Sequence, residues 1–161
     1  MIDFLQSIAP TLLVILGGVI TWFLKSKVEE LRAAEERLQS DRRKIYSQIL
    51  EPYILIFSDI KGSGSGTAKA MKKITSFEYK KTGFELNLIG SDNVVVAFNN
   101  LITHAYEADA KGIEDTSKIL SLLGNLLLEI RKSLGNKNTT LNKIDMLRAS
   151  FKDINEITKN T

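Results

Sequence analysis

Residues 117–134 read SKILSLLGNLLLEIRKSL. Ile119, Leu122, Leu123, Leu126, Leu127, Ile130 and Leu134 recur at i, i+3 and i+4 spacing and cover an unusually wide face. A helix apolar over so much of its circumference is buried on several sides, so this segment is expected to be the central helix of a bundle. Asp115 is placed to cap its start, and Gly135 to end it as the first residue beyond the helix.

The flanking segments carry the same period. Upstream, Gly90 is a stop and Ser91 a candidate cap for a helix starting near Asp92, with Val94, Phe98, Leu101, Ile102 and Ala105 as its stripe. Gly112 marks the break that follows. Before it, Ala68 to about Ile89 reads as one helix, with a candidate interruption at Gly83. Downstream, Thr139 or Thr140 is expected to start a last helix that buries Ile144, Leu147, Phe151, Ile154 and Ile157. With short connections, such helices fold as antiparallel neighbours. The fold class is therefore all-α, a four- or five-helix bundle over residues 52–161.

The N-terminal part reads differently. Phe4 to Leu24, FLQSIAPTLLVILGGVITWFL, holds no charged residue. As a helix it rises about 31 Å at roughly 1.5 Å per residue, close to the ~30 Å of a hydrocarbon core. That predicts a transmembrane anchor over residues 1–24, with Trp22 near an interface. Lys25, Lys27, Arg32, Arg37, Arg42, Arg43 and Lys44 follow the span and only Asp3 precedes it. The expected arrangement is a single-pass inner-membrane protein with its N-terminus outside, its C-terminal domain cytoplasmic and membrane lipid as a partner. Residues 25–51 continue as a juxtamembrane helix. Val28, Leu31, Leu38, Ile45 and Ile49 trace a heptad-like seam that Glu35 and Arg42 interrupt. Gly17 and Gly18 permit close helix approach, and Thr21 is a candidate for bonding across an interface. Pro52 is expected to end or kink the helix, and 61–67, KGSGSGT, to be a flexible link. That link lacks the spacing of a phosphate-binding loop.

Little in the chain suggests catalysis. There are no cysteines, which excludes disulfides and thiolate metal sites, and the net charge of +3 alone says little about nucleic acid. His104 is the single histidine and sits beside a core stripe. No His/Cys/Asp cluster has metal spacing, so neither a metal nor another cofactor is expected. Lys69, Lys72 and Lys73 fall on one helix face and are candidate contacts for phosphates of lipid or nucleic acid.

Three stretches taken together carry a resemblance: ILEPYILIFSDI, SFEYKKTGFELNLIGSDNVVVAFN and LLLEIRKSLGNKNTTLNKIDMLR. They resemble a widespread group of short bacterial proteins with an N-terminal membrane helix, over most of residues 45–155. In the third stretch Arg131 and Asn136 form an Arg-x4-Asn element, which resembles the Arg-x4-His signature of HEPN domains, four-helix folds that often dimerise into ribonucleases. The resemblance implies that Arg131 and Asn136 lie at a subunit interface. An amide does not exchange a proton near neutral pH, so the acid/base half of that chemistry is absent and the chain is expected not to be an enzyme. The whole architecture is similar to the accessory membrane proteins of type VI-B CRISPR loci. That similarity implies a homo-oligomeric membrane pore acting in antiphage defence. Three other readings stay open: a membrane-tethered RNA-binding protein or ribonuclease, a nucleotide-signal sensor coupled to the membrane, and a structural scaffold.

Overall fold

The computed structural model describes residues 2–58, 65–111 and 116–150, with side chains from Leu13 onward apart from 15 and 109–111. Five α-helices follow in order: α1 (Ile2–Ser58), α2 (Ser65–Ile74), α3 (Phe77–Ile89), α4 (Asp92–Lys111) and α5 (Thr116–Ser133). No strand occurs among the described residues. The all-α class is as expected. The chain divides into two units, Met1–Ser40 and Asp41–Thr161.

In the second unit one core joins the end of α1 to α3, α4 and α5. Ile45, Tyr46 and Ile49 meet Tyr79 and Leu86, then Val94, Ala97, Phe98 and Leu101, then Leu120, Leu123, Leu126 and Ile130. α4 and α5 pack together, and α2 meets α3. From Ile119 to Leu134 every side chain of the central segment is at least half-buried, as its wide apolar face requires. On α4 the stripe is Val94, Ala97, Phe98 and Leu101; Ile102 is half-buried and Ala105 exposed.

Polar side chains tie the helices together. The Tyr46 hydroxyl lies 2.8 Å from Ser133 Oγ and accepts from the Ser91 backbone N–H at 3.2 Å. One phenol thus joins α1, α5 and the turn that opens α4. Arg42 Nε donates to the Ile89 carbonyl at 2.8 Å, a cation on the negative end of α3. Gly90 is required beside it, because a Cβ there would lie 2.5 Å from the Leu86 carbonyl oxygen.

Several expectations are corrected. Among the described residues no helix is long and apolar enough to cross a membrane. The side chains of residues 4–12 of the proposed anchor lie outside the described residues. The transmembrane anchor, the single-pass inner-membrane localisation with an outside N-terminus, and the pore are withdrawn with it. Lipid as a partner loses the feature on which it rested. Thr21 spends its hydroxyl inside its own helix, on the Gly17 carbonyl at 2.8 Å.

Pro52 does not end α1, which runs on to Ser58. The proline removes one backbone donor, but its ring is wholly buried in the core, and that packing offsets the loss. The single helix expected over Ala68–Ile89 breaks at Thr75–Ser76 rather than at Gly83. Ser76 caps α3 by accepting from the Tyr79 N–H at 3.1 Å, and Gly83 sits inside that helix. Ser65 to Thr67 open α2 rather than belonging to a link; 61–64 lie outside the described residues, as do Gly112 and Asp115. Beyond Asn142 the chain forms successive tight turns instead of a helix, with Leu147 N–H bonded to Ile144 and Ser150 N–H to Leu147. Leu147 is buried and Ile144 half-buried, while Phe151, Ile154 and Ile157 lie outside the described residues.

Candidate functional site

The Arg131 and Asn136 pair is built by the end of α5. Gly135 takes φ +108°, a conformation that costs glycine little and other residues about 1–2 kcal/mol. Its N–H bonds the Lys132 carbonyl at 3.2 Å, and the Asn136 N–H bonds the Arg131 carbonyl at 3.2 Å. These two bonds form a Schellman motif, in which the second residue past the helix reaches back five positions. The Arg-x4-Asn spacing is therefore the span of a helix end folding back on itself.

Arg131 is half-buried, and its Nε donates to Thr139 Oγ1 at 3.1 Å. Thr139 is held in turn by its N–H on the Asn136 carbonyl, 3.1 Å. Arg131, Asn136, Lys137, Thr139 and Leu141 line an open groove of about 690 Å³. The groove presents a guanidinium, an ammonium, amides and hydroxyls. Such a set can bind and orient a polar group through hydrogen bonds.

The other candidate residues lie elsewhere. His104 is half-buried on α4, with Nε2 buried and unpartnered, and it does not line the groove. Lys69 and Lys72 are exposed on α2, whereas Lys73 is half-buried in an ion pair with Glu51 of α1. The three lysines thus do not act as one free basic face, and none lines the groove at Arg131. No group of acidic or histidine side chains suited to holding a metal occurs among the described residues.

Tyrosines hold the most perturbed positions. Tyr79 donates to the Ile49 carbonyl at 3.2 Å, and Tyr53 is its neighbour. Burial pushes the Tyr53 phenol up to about 12, partly opposed by neighbouring Tyr79. Burial raises Tyr79 further, and neighbouring Tyr53 adds to the effect. Tyr79 also lines a cavity of about 280 Å³ between α3 and α4, with Gly83, Phe84, Phe98, Ile102 and Tyr106.

The chain matches no family model, no characterised protein and no solved structure.

Proposed function

We propose that the chain is a non-enzymatic, homo-oligomeric effector in bacterial defence, with a HEPN-like helical domain and α1 as its assembly element. The observation that carries this reading is the exposure of α1. Leu16, Val19, Ile20, Phe23, Leu24, Val28 and Leu31 are all between 48% and 69% exposed in the single chain. A helix apolar on all sides is found covered. Copies of the same helix supply that cover, and Gly17 and Gly18, with no neighbouring atom within 4 Å, leave room for close approach. Gly17, Thr21, Leu24, Val28 and Leu31 follow heptad spacing, while Ile45 and Ile49, at the far end of the sequence seam, are already spent in the core. Burying each such side chain contributes about 1.5–3 kcal/mol. Covering a handful offsets an association cost of about 4–15 kcal/mol.

The end of α5 supports the non-enzymatic part. Arg131 is engaged with Thr139, and Asn136 offers an amide where proton transfer needs a titratable group.

Sedimentation velocity on the purified full chain, with wild type and Ile20→Asp/Leu24→Asp compared, tests the assembly. An oligomer is expected for wild type and a monomer for the double variant. A wild type that stays monomeric over a hundredfold concentration range defeats the reading.

A further inference from the structure

The cavity between α3 and α4 is built from two matched helix faces. On α3, Lys80, Gly83, Phe84 and Asn87 fall at i, i+3, i+4 and i+7; on α4, Phe98, Ile102 and Tyr106 fall at i, i+4 and i+8. Its walls are therefore largely aromatic. Phe84 and Tyr106 are 72% and 65% exposed, so a molecule lying between them would cover two rings that the chain itself leaves open.

Gly83 forms the floor. Among the described residues only Gly135 has a positive φ, so backbone conformation does not call for glycine at 83. Packing does not either: a Cβ at Gly90 or Gly124 would collide with a backbone carbonyl, but at Gly83 it meets nothing nearer than Phe98 Cε1 at 3.8 Å. Glycine inside a helix is less stable than alanine, and no contact within the chain compensates. What the missing Cβ provides is access, since a flat ring can lie against the α3 backbone there.

Charge narrows the occupant. Among the residues lining the cavity Lys80 alone is charged. Lys73 and Lys81, on either side of it in sequence, are paired with Glu51 and Glu85, whereas no ion pair among the described residues engages Lys80. Asn87 adds an amide about 10 Å further along α3, at ~1.5 Å per residue.

We propose that this cavity binds a small planar aromatic anion, two fused rings bearing a carboxylate, with the rings over Gly83 and the acid on Lys80. An apolar cavity of about 150 Å³ holds one benzene ring, so about 280 Å³ suits two. Aromatic walls with a few polar groups, set between helices of a bundle, are the usual make-up of a small-molecule site. Phe84, Phe98 and Tyr106 supply stacking and edge contacts, and the lone cation prefers an acid to its neutral analogue. The cavity lies within one chain, so the site does not depend on assembly through α1.

The probe is 2-naphthoate, titrated calorimetrically into the full-length protein. Two comparison compounds are 2-naphthamide, which lacks the charge, and cyclohexanecarboxylate, which lacks the flat rings. One 2-naphthoate binds per chain, and the amide binds about fivefold more weakly, the upper range for a solvent-exposed charge pair. Cyclohexanecarboxylate is also weaker. Lys80→Gln removes the preference for acid over amide. Gly83→Ala weakens 2-naphthoate about tenfold, as overpacking by one methyl group does, while its urea midpoint does not fall. That combination separates a lost site from a lost fold. No saturable binding at roughly millimolar probe, where a ligand of this size in a matched site should bind, overturns the proposal. Binding that Gly83→Ala leaves unchanged puts the probe elsewhere and overturns the site. Equal affinity for 2-naphthoate and 2-naphthamide overturns the assignment of an anion, and equal affinity for cyclohexanecarboxylate that of an aromatic.

Discussion

Gly124 and Gly83 both sit inside helices, and alanine at the two positions should act with opposite sign. In a helix interior alanine is favoured over glycine by about 0.5–1 kcal/mol. At Gly83 a Cβ meets only Phe98 Cε1 at 3.8 Å, an ordinary contact, so Gly83→Ala should realise that gain. At Gly124 the same carbon would lie 2.3 Å from the Lys143 carbonyl oxygen, 3.0 Å from its carbon and 3.3 Å from Leu147 Cδ1. Two of those atoms are backbone, so relief requires lifting the segment that seats Leu147, which is only 2% exposed. Overpacking of this kind costs about 1–3 kcal/mol, and partly uncovering Leu147 adds a share of the ~1.5–3 kcal/mol its burial contributes. After the helical gain is credited, Gly124→Ala should be destabilised by about 1–3 kcal/mol. The two variants should differ by about 2–4 kcal/mol. For a chain of this size that is on the order of 10 °C in melting temperature. Thermal and urea unfolding followed by far-ultraviolet circular dichroism reads it directly. If Gly124→Ala is as stable as Gly83→Ala, the 143–147 segment is not seated on α5 and the reasoning fails.

Tyr46→Phe removes the hydroxyl shared by Ser133 and the Ser91 N–H; leaving such groups unpaired should cost about 1–3 kcal/mol, and an unchanged urea midpoint rejects that linkage. The Tyr53 phenol, raised to about 12 by burial, favours its neutral form in the folded state. Its contribution is thus complete below pH 10 and lost as pH rises from 10 towards 12, so the urea midpoint should fall more steeply over that window for wild type than for Tyr53→Phe. Labelled single-stranded RNA should survive incubation with wild type and with Arg131→Ala alike; cleavage by wild type that Arg131→Ala abolishes would restore the ribonuclease reading. Arg131→Ala also loses the bond to Thr139 and should lower stability by about 0.5–1.5 kcal/mol, measurable by chemical denaturation.

The bundle was legible where one signal dominated. The apolar face of 119–134 leaves its helix no stable place but the centre, and Gly90–Ser91 and Gly135 punctuate the chain where the sequence puts the breaks. Errors arose where two local signals competed. Pro52 reads as a terminator from backbone chemistry alone, but tertiary packing around its ring wins and α1 continues. Between α2 and α3 the decisive residue was Ser76 rather than Gly83, because a hydroxyl that accepts the Tyr79 N–H starts a new helix, while a glycine merely tolerates one. After Thr140 the apolar spacing suggests a helix. Asn142 Oδ1 instead accepts the N–H groups of Ile144 and Asp145, at 2.9 and 3.0 Å, while Asp145 Oδ2 accepts the Asn142 N–H. Side chains that bond nearby backbone this well favour turns over helix. In α1, length and apolarity set the membrane expectation, while the exposed side chains of the described stretch pose a narrower question of what covers them.

The candidate site was legible as a spacing without its cause. A helix that closes with glycine in the left-handed region brings the residue at its third-last position back beside the second residue beyond the end. Arg131 and Asn136 occupy those two places, so their backbones are joined whether or not any chemistry follows. The fold therefore supplies the proximity, and the sixth residue of the element decides its use. A histidine there adds a proton donor and acceptor next to a guanidinium, whereas an asparagine adds only an amide. The Thr139 hydroxyl, three residues further on, accepts a hydrogen bond from the arginine Nε. An Arg-x4 element ending in an amide is on this argument a helix stop with a binding surface, and loss of the arginine should alter the groove before it alters any turnover.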